Sequence, residues 1–325
     1  MKIPEKLSIC NIPTPIQELG AINPDKGWSN LYIKRDDYTG LETSGNKVRK
    51  FEFHLKRAMD QGADVIITCG GLQSNHCRAA ASLAARFSMG CHLVLREPDA
   101  LPDGNYFLCQ MFGAEITLIS WDRYANSRNE IMFEIGEKYR RKNRKPYIIP
   151  EGGSNGLGMF GYYNTYLEIL AQEQELGIRF DTICVADGTG GTYSGLYSAN
   201  ELLGGGKQIV GFNVYSRDGA KERVLHILEE GACIAGLGSP ISKDNIYQNF
   251  DYLGDGYAIV YPKLVDFIRQ TARATGIVTD PVYTGKALLG AVSEIAKRNA
   301  MFKGNVLFIH TGGQFGIFPR RELFM

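Results

Sequence analysis

DVIITCGGLQSNHCRAAASLAARFSM, residues 64–89, reads as a strand, a glycine turn and a helix. DVIITCG (64–70) is a short β-rich run without polar alternation, the pattern of a strand covered on both faces. Gly70 and Gly71 break it, and an Ala-rich helix follows over 76–89, capped by Ser74 or Asn75. The unit recurs outward in both directions. CHLVLR (91–96), a helix near 104–112, EITLIS (115–120) and a charged helix around 123–142 come next. YIIP (147–150) precedes an amphipathic segment over 157–176, and TICVAD (182–187) enters a Gly-rich loop and a helix to about 203. IVGFNVY (209–215), helices near 218–230, 262–275 and 286–299, and NVLFIHT (305–311) finish the chain. Strands alternating with helices imply βαβ units and parallel sheets. No repeat, low-complexity tract or linker marks a domain boundary.

The 325 residues suffice for two domains. Lys+Arg (36) nearly cancel Asp+Glu (35), and a net charge of +1 gives no electrostatic case for a nucleic-acid or membrane partner. The start, MKIPEKLSIC, lacks a signal-peptide apolar region, and no segment reaches the roughly 18 apolar residues of a span. A cytoplasmic protein is expected. The seven cysteines are odd in number, form no C-x-x-C pair, and read as reduced core residues. The five histidines have no metal-ligand spacing, so no metal is expected, and no G-x-S-x-G elbow is present.

Three segments carry chemistry. In SGNKVRKFEFHLKRA (44–58), Lys47 opens an amphipathic helix with Phe51, Leu55 and Met59 on one stripe. A lysine at the positive end of a helix dipole is disfavoured as a cation, which helps keep its amine uncharged; a solvated basic face is the plain alternative. In CGGLQSNHCRAAA (69–81), Gln73, Ser74 and Asn75 precede free helix amides that suit a carboxylate. In VADGTGGTYSGL (185–196), Gly188, Thr189, Gly190, Gly191 and Thr192 can point amides and hydroxyls at a phosphate, with a mere tight turn as the plain alternative. That loop fits neither the P-loop nor the dinucleotide pattern. TDPVYTGKALLG (279–290) and FIHTGGQFGIF (308–318) are weaker signals, each with polar residues at an element boundary.

Taken together, LYIKRDDYTG (31–40), SGNKVRKFEF (44–53), GADVIITCGGLQSNHCR (62–78), GNYFLCQMFGAEI (104–116), GTGGTYSGL (188–196), TDPVYTGKALLG (279–290) and LFIHTGG (307–313) resemble the D-cysteine desulfhydrase / 1-aminocyclopropane-1-carboxylate (ACC) deaminase family. These are pyridoxal-phosphate enzymes of the tryptophan-synthase-β type, fold type II. The resemblance implies two open, twisted parallel-sheet domains with helices on both faces and the cofactor in the cleft between them. Residues 1–47 plus 161–325 would form the large domain, with 48–160 inserted as the small one. It implies that Lys47 carries pyridoxal 5'-phosphate as a Schiff base and later moves the substrate proton. Lys50 and the Gly188–Thr192 loop would hold the phosphate, and Asn75 the 3'-oxygen. Ser74 and Gln73 would lie at the substrate carboxylate, with Tyr257 and Tyr283 facing the substrate. A homodimer acting on a small amino acid is expected.

One pair of positions separates activities within the resembled family. ACC deaminases place Glu after the D-P-V-Y tyrosine and Leu after the histidine of the last strand; this chain has Thr284 and Thr311. A carboxylate at the pyridine nitrogen makes a strong electron sink, which ring opening needs; a hydroxyl suits loss of a β leaving group. The expected reaction is therefore αβ-elimination, with D-cysteine to pyruvate, hydrogen sulfide and ammonia as reference. L-cysteate cleavage, ACC deamination and β-replacement are the alternatives in the same chemistry, and a non-catalytic cofactor- or nucleotide-binding protein is the alternative outside it. Two places depart from the family pattern: GDGYAIVYP (254–262), with Ala258 after Tyr257 and the proline displaced to Pro262, and the bulky Tyr193 after the phosphate loop.

Overall fold

The computed structural model describes residues 1–97, 103–238 and 240–325. In chain order the elements are β1 (Ile16–Glu18), β2 (Ser29–Lys34), α1 (Asn46–Asp60), β3 (Val65–Gly71), α2 (Asn75–Arg86), β4 (Gly90–Arg96), α3 (Asn105–Met111), β5 (Glu115–Ile119), α4 (Trp121–Arg140) and β6 (Pro146–Ile148). They continue with α5 (Phe160–Leu176), β7 (Thr182–Asp187), α6 (Gly191–Leu202), β8 (Gln208–Asn213), α7 (Ala220–Ile234), β9 (Tyr247–Asn249), α8 (Pro262–Thr275), α9 (Thr284–Ala296) and β10 (Gly304–Ile309). The expected helices and strands are present with small shifts at their ends. Three strands lie outside the expected set: β1, β2 and β9.

Two sheets result. The larger runs β1-β2-β10-β7-β8-β9 and the smaller β5-β4-β3-β6. All pairings are parallel except β1 with β2. β3 and β7 are buried along almost their whole length, as central parallel strands must be when helices cover both faces. In the larger sheet the chain goes from β7 to β8 and β9 on one side, then to β10 on the other. In the smaller, β3 leads to β4 and β5 on one side and β6 on the other. Open α/β sheets bind ligands at the carboxyl ends of strands flanking such a reversal. The ends of β7, β10 and β3, and the turn after β6, all border a single cleft.

Helix α1 lies at the seam between the sheets. Its Phe51 and Leu55 pack with Ala79 and Leu83 of α2, while Phe53 packs with Phe160 and Tyr163 on the larger sheet's side. The expected third stripe residue, Met59, is 46% exposed, and Ala58 is buried instead. At 3.6 residues per turn, steps of four drift about 40° each, so position 59 has left the face that position 58 still occupies. A buried ionic network fixes the helix from behind. Arg49 pairs with Asp36 at 2.8 Å and with Glu168 at 2.9 Å, Lys34 meets Glu168 at 2.6 Å, and the Tyr162 hydroxyl donates to Asp36 at 2.6 Å. Among the described residues no helix is long and apolar enough to cross a membrane.

Candidate active site

The cleft encloses about 730 Å³ with its open mouth included. At its floor, α1 begins where Gly45 takes φ +105°. A Cβ there would collide with the Thr311 carbonyl oxygen, so only glycine lets the Asn46 amide donate to that oxygen at 3.1 Å. The Asn46 side chain then donates to Thr192 Oγ1 at 2.9 Å. Residue 46 thereby ties the start of α1 to the end of β10 and to the start of α6, and this sets Lys47 in the cleft. Burial lowers the Lys47 amine to about 8, against the raising effect of the Glu151 charge. A larger uncharged fraction is what a nucleophilic lysine needs.

One turn on, Lys50 is 1% exposed. Its Nζ donates to the Gly152 carbonyl at 3.2 Å and to Ser154 Oγ at 2.9 Å, and Ser154 Oγ lies 2.6 Å from Thr189 Oγ1. It has no carboxylate salt bridge among the described residues. Burial, then the Lys47 charge, push its amine well below the usual lysine range, with Asp187 opposing. Facing it is the glycine loop and the start of α6, whose first amides have no helical partner. A Cβ at Gly191 would stand 2.8 Å from Ser154 Oγ and 2.9 Å from Lys50 Nζ. An unpaired buried cation, two hydroxyls, free helix amides and the lack of a side chain at Gly191 form a cradle for a phosphate.

On the opposite side α2 starts. Ser74 Oγ accepts the Cys77 amide at 3.2 Å as its cap, and both Ser74 and Asn75 line the cleft. The Asn75 amide oxygen accepts from Arg78 at 3.1 Å and from Asn105 at 3.0 Å, which leaves its NH₂ as the group free to donate. Tyr257 and Tyr283 line the cleft with hydroxyls 2.6 Å apart. Burial pushes Tyr257 up to about 12 and Tyr283 well above the usual range, so both stay protonated at neutral pH. Lys286 pins the loop that carries Tyr257, donating to the Leu253 and Gly256 carbonyls at 2.6 and 2.9 Å. In that loop Ala258 takes φ +61°, and Pro262 opens α8.

The cleft brings together Lys47, Ser74, Asn75, Gly188, Thr189, Gly190, Thr192, Tyr257, Tyr283 and Thr311. Lys50 and Gly191 stand just behind its phosphate end. Gln73 is elsewhere: its side chain donates to the Asp103 carbonyl at 2.7 Å and accepts the Asn105 amide at 3.0 Å. Thr284 is fully buried, its hydroxyl donating to Asp280 at 2.8 Å. Tyr193 points into the core, stacked on Tyr197, and does not reach the cleft.

The lining also includes residues outside the expected site, among them Asn46, His76, Glu151, Asp187 and Tyr215. The Thr68 hydroxyl donates to the Ile149 carbonyl at 2.8 Å, so it accepts from His76 Nε2 at 2.8 Å, which puts a proton on Nε2, while buried Nδ1 has no partner among the described residues. Burial and the charges of Lys47 and Lys50 hold its pKa well down. Burial also raises Asp187, whose Oδ2 accepts from Gln248 at 2.6 Å. No spacing in the sequence marks His76, and Asp187 reads as the end of the strand TICVAD (182–187). Among the described residues no group of three or more His, Cys, Asp or Glu side chains is placed to hold a metal.

A buried lysine of lowered basicity and a cradle suited to phosphate, at the switch points of two α/β sheets, suit an enzyme class built around a phosphorylated aldehyde cofactor. The chain belongs to the pyridoxal-phosphate dependent enzyme family, whose profile matches residues 7–312. It is 40% identical over 315 residues to a Thermotoga maritima protein described as a candidate ACC deaminase, covering 95% of this chain and 96% of that one. It is 38% identical to the bifunctional D-cysteine desulfhydrase/ACC deaminase of Arabidopsis thaliana, covering 96% of this chain and 79% of the relative. A solved ACC deaminase homologue superposes with a TM-score of 0.88 at 34% identity, over 98% of this chain and 95% of the other.

The cradle fits pyridoxal phosphate, because the donor groups it needs are already placed and Lys50, its cation, has no carboxylate salt bridge among the described residues. Replacing Gly191 by alanine is expected to weaken cofactor binding at least tenfold, since the methyl would displace Lys50 Nζ or Ser154. Absorbance titration of the cofactor-free protein measures this, and unchanged affinity would show that the cradle lies elsewhere.

Proposed function

We propose that this enzyme removes a β substituent from a small amino acid by αβ-elimination, with D-cysteine giving pyruvate, hydrogen sulfide and ammonia. The reading rests on Thr284 and Thr311. The carboxylate beside them, Asp280, is consumed by the amides of Val282, Tyr283 and Thr284 and by the Thr284 hydroxyl, and it does not line the cleft. Thr311, whose side chain carries a hydroxyl and no carboxylate, lines the cleft at this end. This favours the weaker electron sink that elimination tolerates over the stronger one that ring opening demands. Among relatives, the D-cysteine desulfhydrase of Yersinia pseudotuberculosis is 33% identical over 320 residues.

Lys47 would hold the cofactor through its amine, Lys50 with the Gly188–Thr192 loop its phosphate, and Asn75 its phenolic oxygen. When bound, pyridoxal phosphate supplies a sink for the electron pair left at the substrate α carbon. Lys47 takes the α proton. Ser74 and the free amides of α2 hold the carboxylate and fix which α bond is broken. The Tyr257–Tyr283 pair, kept protonated by burial, delivers a proton to the departing sulfur.

The test is the visible spectrum of the purified protein, followed by pyruvate assay with D-cysteine, L-cysteine, L-cysteate and ACC. A cofactor band that responds to D-cysteine with pyruvate release is expected. Turnover of ACC to 2-oxobutyrate without pyruvate from the others would reverse the assignment to deamination. Ligand retention without turnover of any β-substituted alanine would favour a binding protein.

A further inference from the structure

Several carboxylates in the interior of this protein are closely ion-paired, while Asp280 is held by backbone amides and Asp187 by Gln248. Asp36 has Arg49 at 2.8 Å, Glu168 has Lys34 at 2.6 Å, Glu173 has Lys207 at 2.6 Å and Glu52 has Lys6 at 2.6 Å. Glu151 breaks the pattern. It follows β6, lines the cleft, and keeps 23% of its side chain exposed there. Oε1 accepts the Tyr124 hydroxyl at 2.8 Å, which orients the carboxylate without neutralising it. Its ion-pair partner Arg128 is loosely placed, with Nη2 3.7 Å from Oε2, beyond hydrogen-bond reach. The Arg128 Nη1 is itself committed to the Tyr124 and Ala125 carbonyls.

Glu151 also lies on the substrate side. Its charge is felt at Lys47 and at the hydroxyls of Tyr215, Tyr257 and Tyr283, all of which line the cleft. The other carboxylate on the lining, Asp187, ends β7 where the glycine loop begins, and Lys50 rather than Lys47 is the lysine that feels it. An oriented carboxylate on the lining whose ion pair is loose and makes no hydrogen bond will stabilise a donor in the cleft, an ammonium most of all.

We infer that Glu151 is a specificity-determining residue that selects amino acids whose side group carries an ammonium, with 2,3-diaminopropionate the smallest that can undergo elimination. The inference rests on the elimination reading and adds the class of leaving group. Its chemistry closes. The α proton goes to Lys47, the Cβ–N bond breaks with its electron pair leaving on neutral ammonia, and the former Cα–H pair becomes the Cα–Cβ double bond. Water then hydrolyses the enamine to pyruvate and a second ammonia. An ammonium leaves as a neutral molecule, so this leaving group needs no acid from the tyrosine pair.

Three arginines lie behind the lining and define the opposite outcome. Arg223 sits 5.3 Å from the Tyr215 ring, Arg128 stands behind Glu151, and Arg96 lies behind Gly71. The test compares kcat/KM for each enantiomer of 2,3-diaminopropionate, 3-chloroalanine and cysteate in the holoenzyme and in Glu151→Gln, which still accepts the Tyr124 hydroxyl. The ratio of 2,3-diaminopropionate to 3-chloroalanine is expected to fall at least tenfold in the variant and to recover in part in Glu151→Asp. Spectral titration with 2,4-diaminobutyrate against its isostere norvaline reads binding without turnover. The diamine is expected to bind at least tenfold tighter, and Glu151→Gln to erase the difference. Equal ratios in both proteins, or a preference for cysteate, overturn the assignment and pass charge recognition to the arginines. If no β-substituted alanine yields pyruvate, the elimination reading itself has failed, and the titration with the two isosteres still decides the role of Glu151.

Discussion

Lys47→Ala is expected to lower turnover of every substrate by about 10³-fold or more, because the proposed mechanism has this one side chain both capture the cofactor and move the α proton. The structure supplies the reason a lysine can do both. Gly45, Asn46, Thr311 and Thr192 hold the start of α1 in one place, and burial brings the amine to about 8. An ordinary lysine near 10.4 would be almost wholly charged at neutral pH. The pH profile follows from the sign of this shift. The uncharged amine is the reactive form, so capture of pyridoxal phosphate by the cofactor-free protein should accelerate as pH rises through about 8. The rate should level off above that region, whereas an unperturbed amine would go on accelerating to about 10. Borohydride reduction and peptide mass spectrometry complete the check: the cofactor should be attached to the peptide containing residue 47 in the wild type and to none in the variant. Attachment at another lysine, with turnover retained, would remove Lys47 from the chemistry.

Much of this site was legible because parallel α/β architecture writes itself in apolar runs ending in glycine. β3 and β7 are buried on both faces, so their sequences show continuous apolar character, and the loops that follow show what the cleft needs. β1 and β9 have three residues each and are half-exposed at sheet edges, too short to carry a pattern. β2 pairs with β10 across most of the chain's length, a contact that no local signal announces. The lining residues that escaped notice share a cause. His76, Glu151 and Tyr215 acquire meaning from what stands opposite them, and the partners come from different elements: Thr68 for His76, Tyr124 for Glu151, Tyr257 for Tyr215. Gln73 illustrates the reverse. Its position beside Ser74 suggested a substrate contact, but the side chain finds the Asp103–Asn105 turn closer at hand.

Lys50→Met is expected to weaken pyridoxal phosphate binding by about 10- to 100-fold, the range for a lost charge-assisted hydrogen bond to a buried anion. The same change should leave the cofactor-free protein no less stable, and more stable below neutral pH. Lys50 is 1% exposed and has only a carbonyl and a hydroxyl as partners, so without a phosphate its charge is a burden. Its folded-state pKa lies well below the unfolded value, and across the interval between them the unfolded chain binds more protons. Stability therefore rises with pH through that interval, and below it the full penalty applies. Melting curves of cofactor-free protein taken from pH 6 to 10 should climb, and those of Lys50→Met should climb less. Lys47 contributes a rise of the same sign to both proteins, so their difference isolates Lys50. Loading the cofactor should flatten the wild-type rise, because a neighbouring phosphate returns the lysine pKa toward its unfolded value. Parallel curves for the two cofactor-free proteins would mean that Lys50 carries no uncompensated charge, and the cradle would then owe its anion affinity to the α6 amides and the threonines alone.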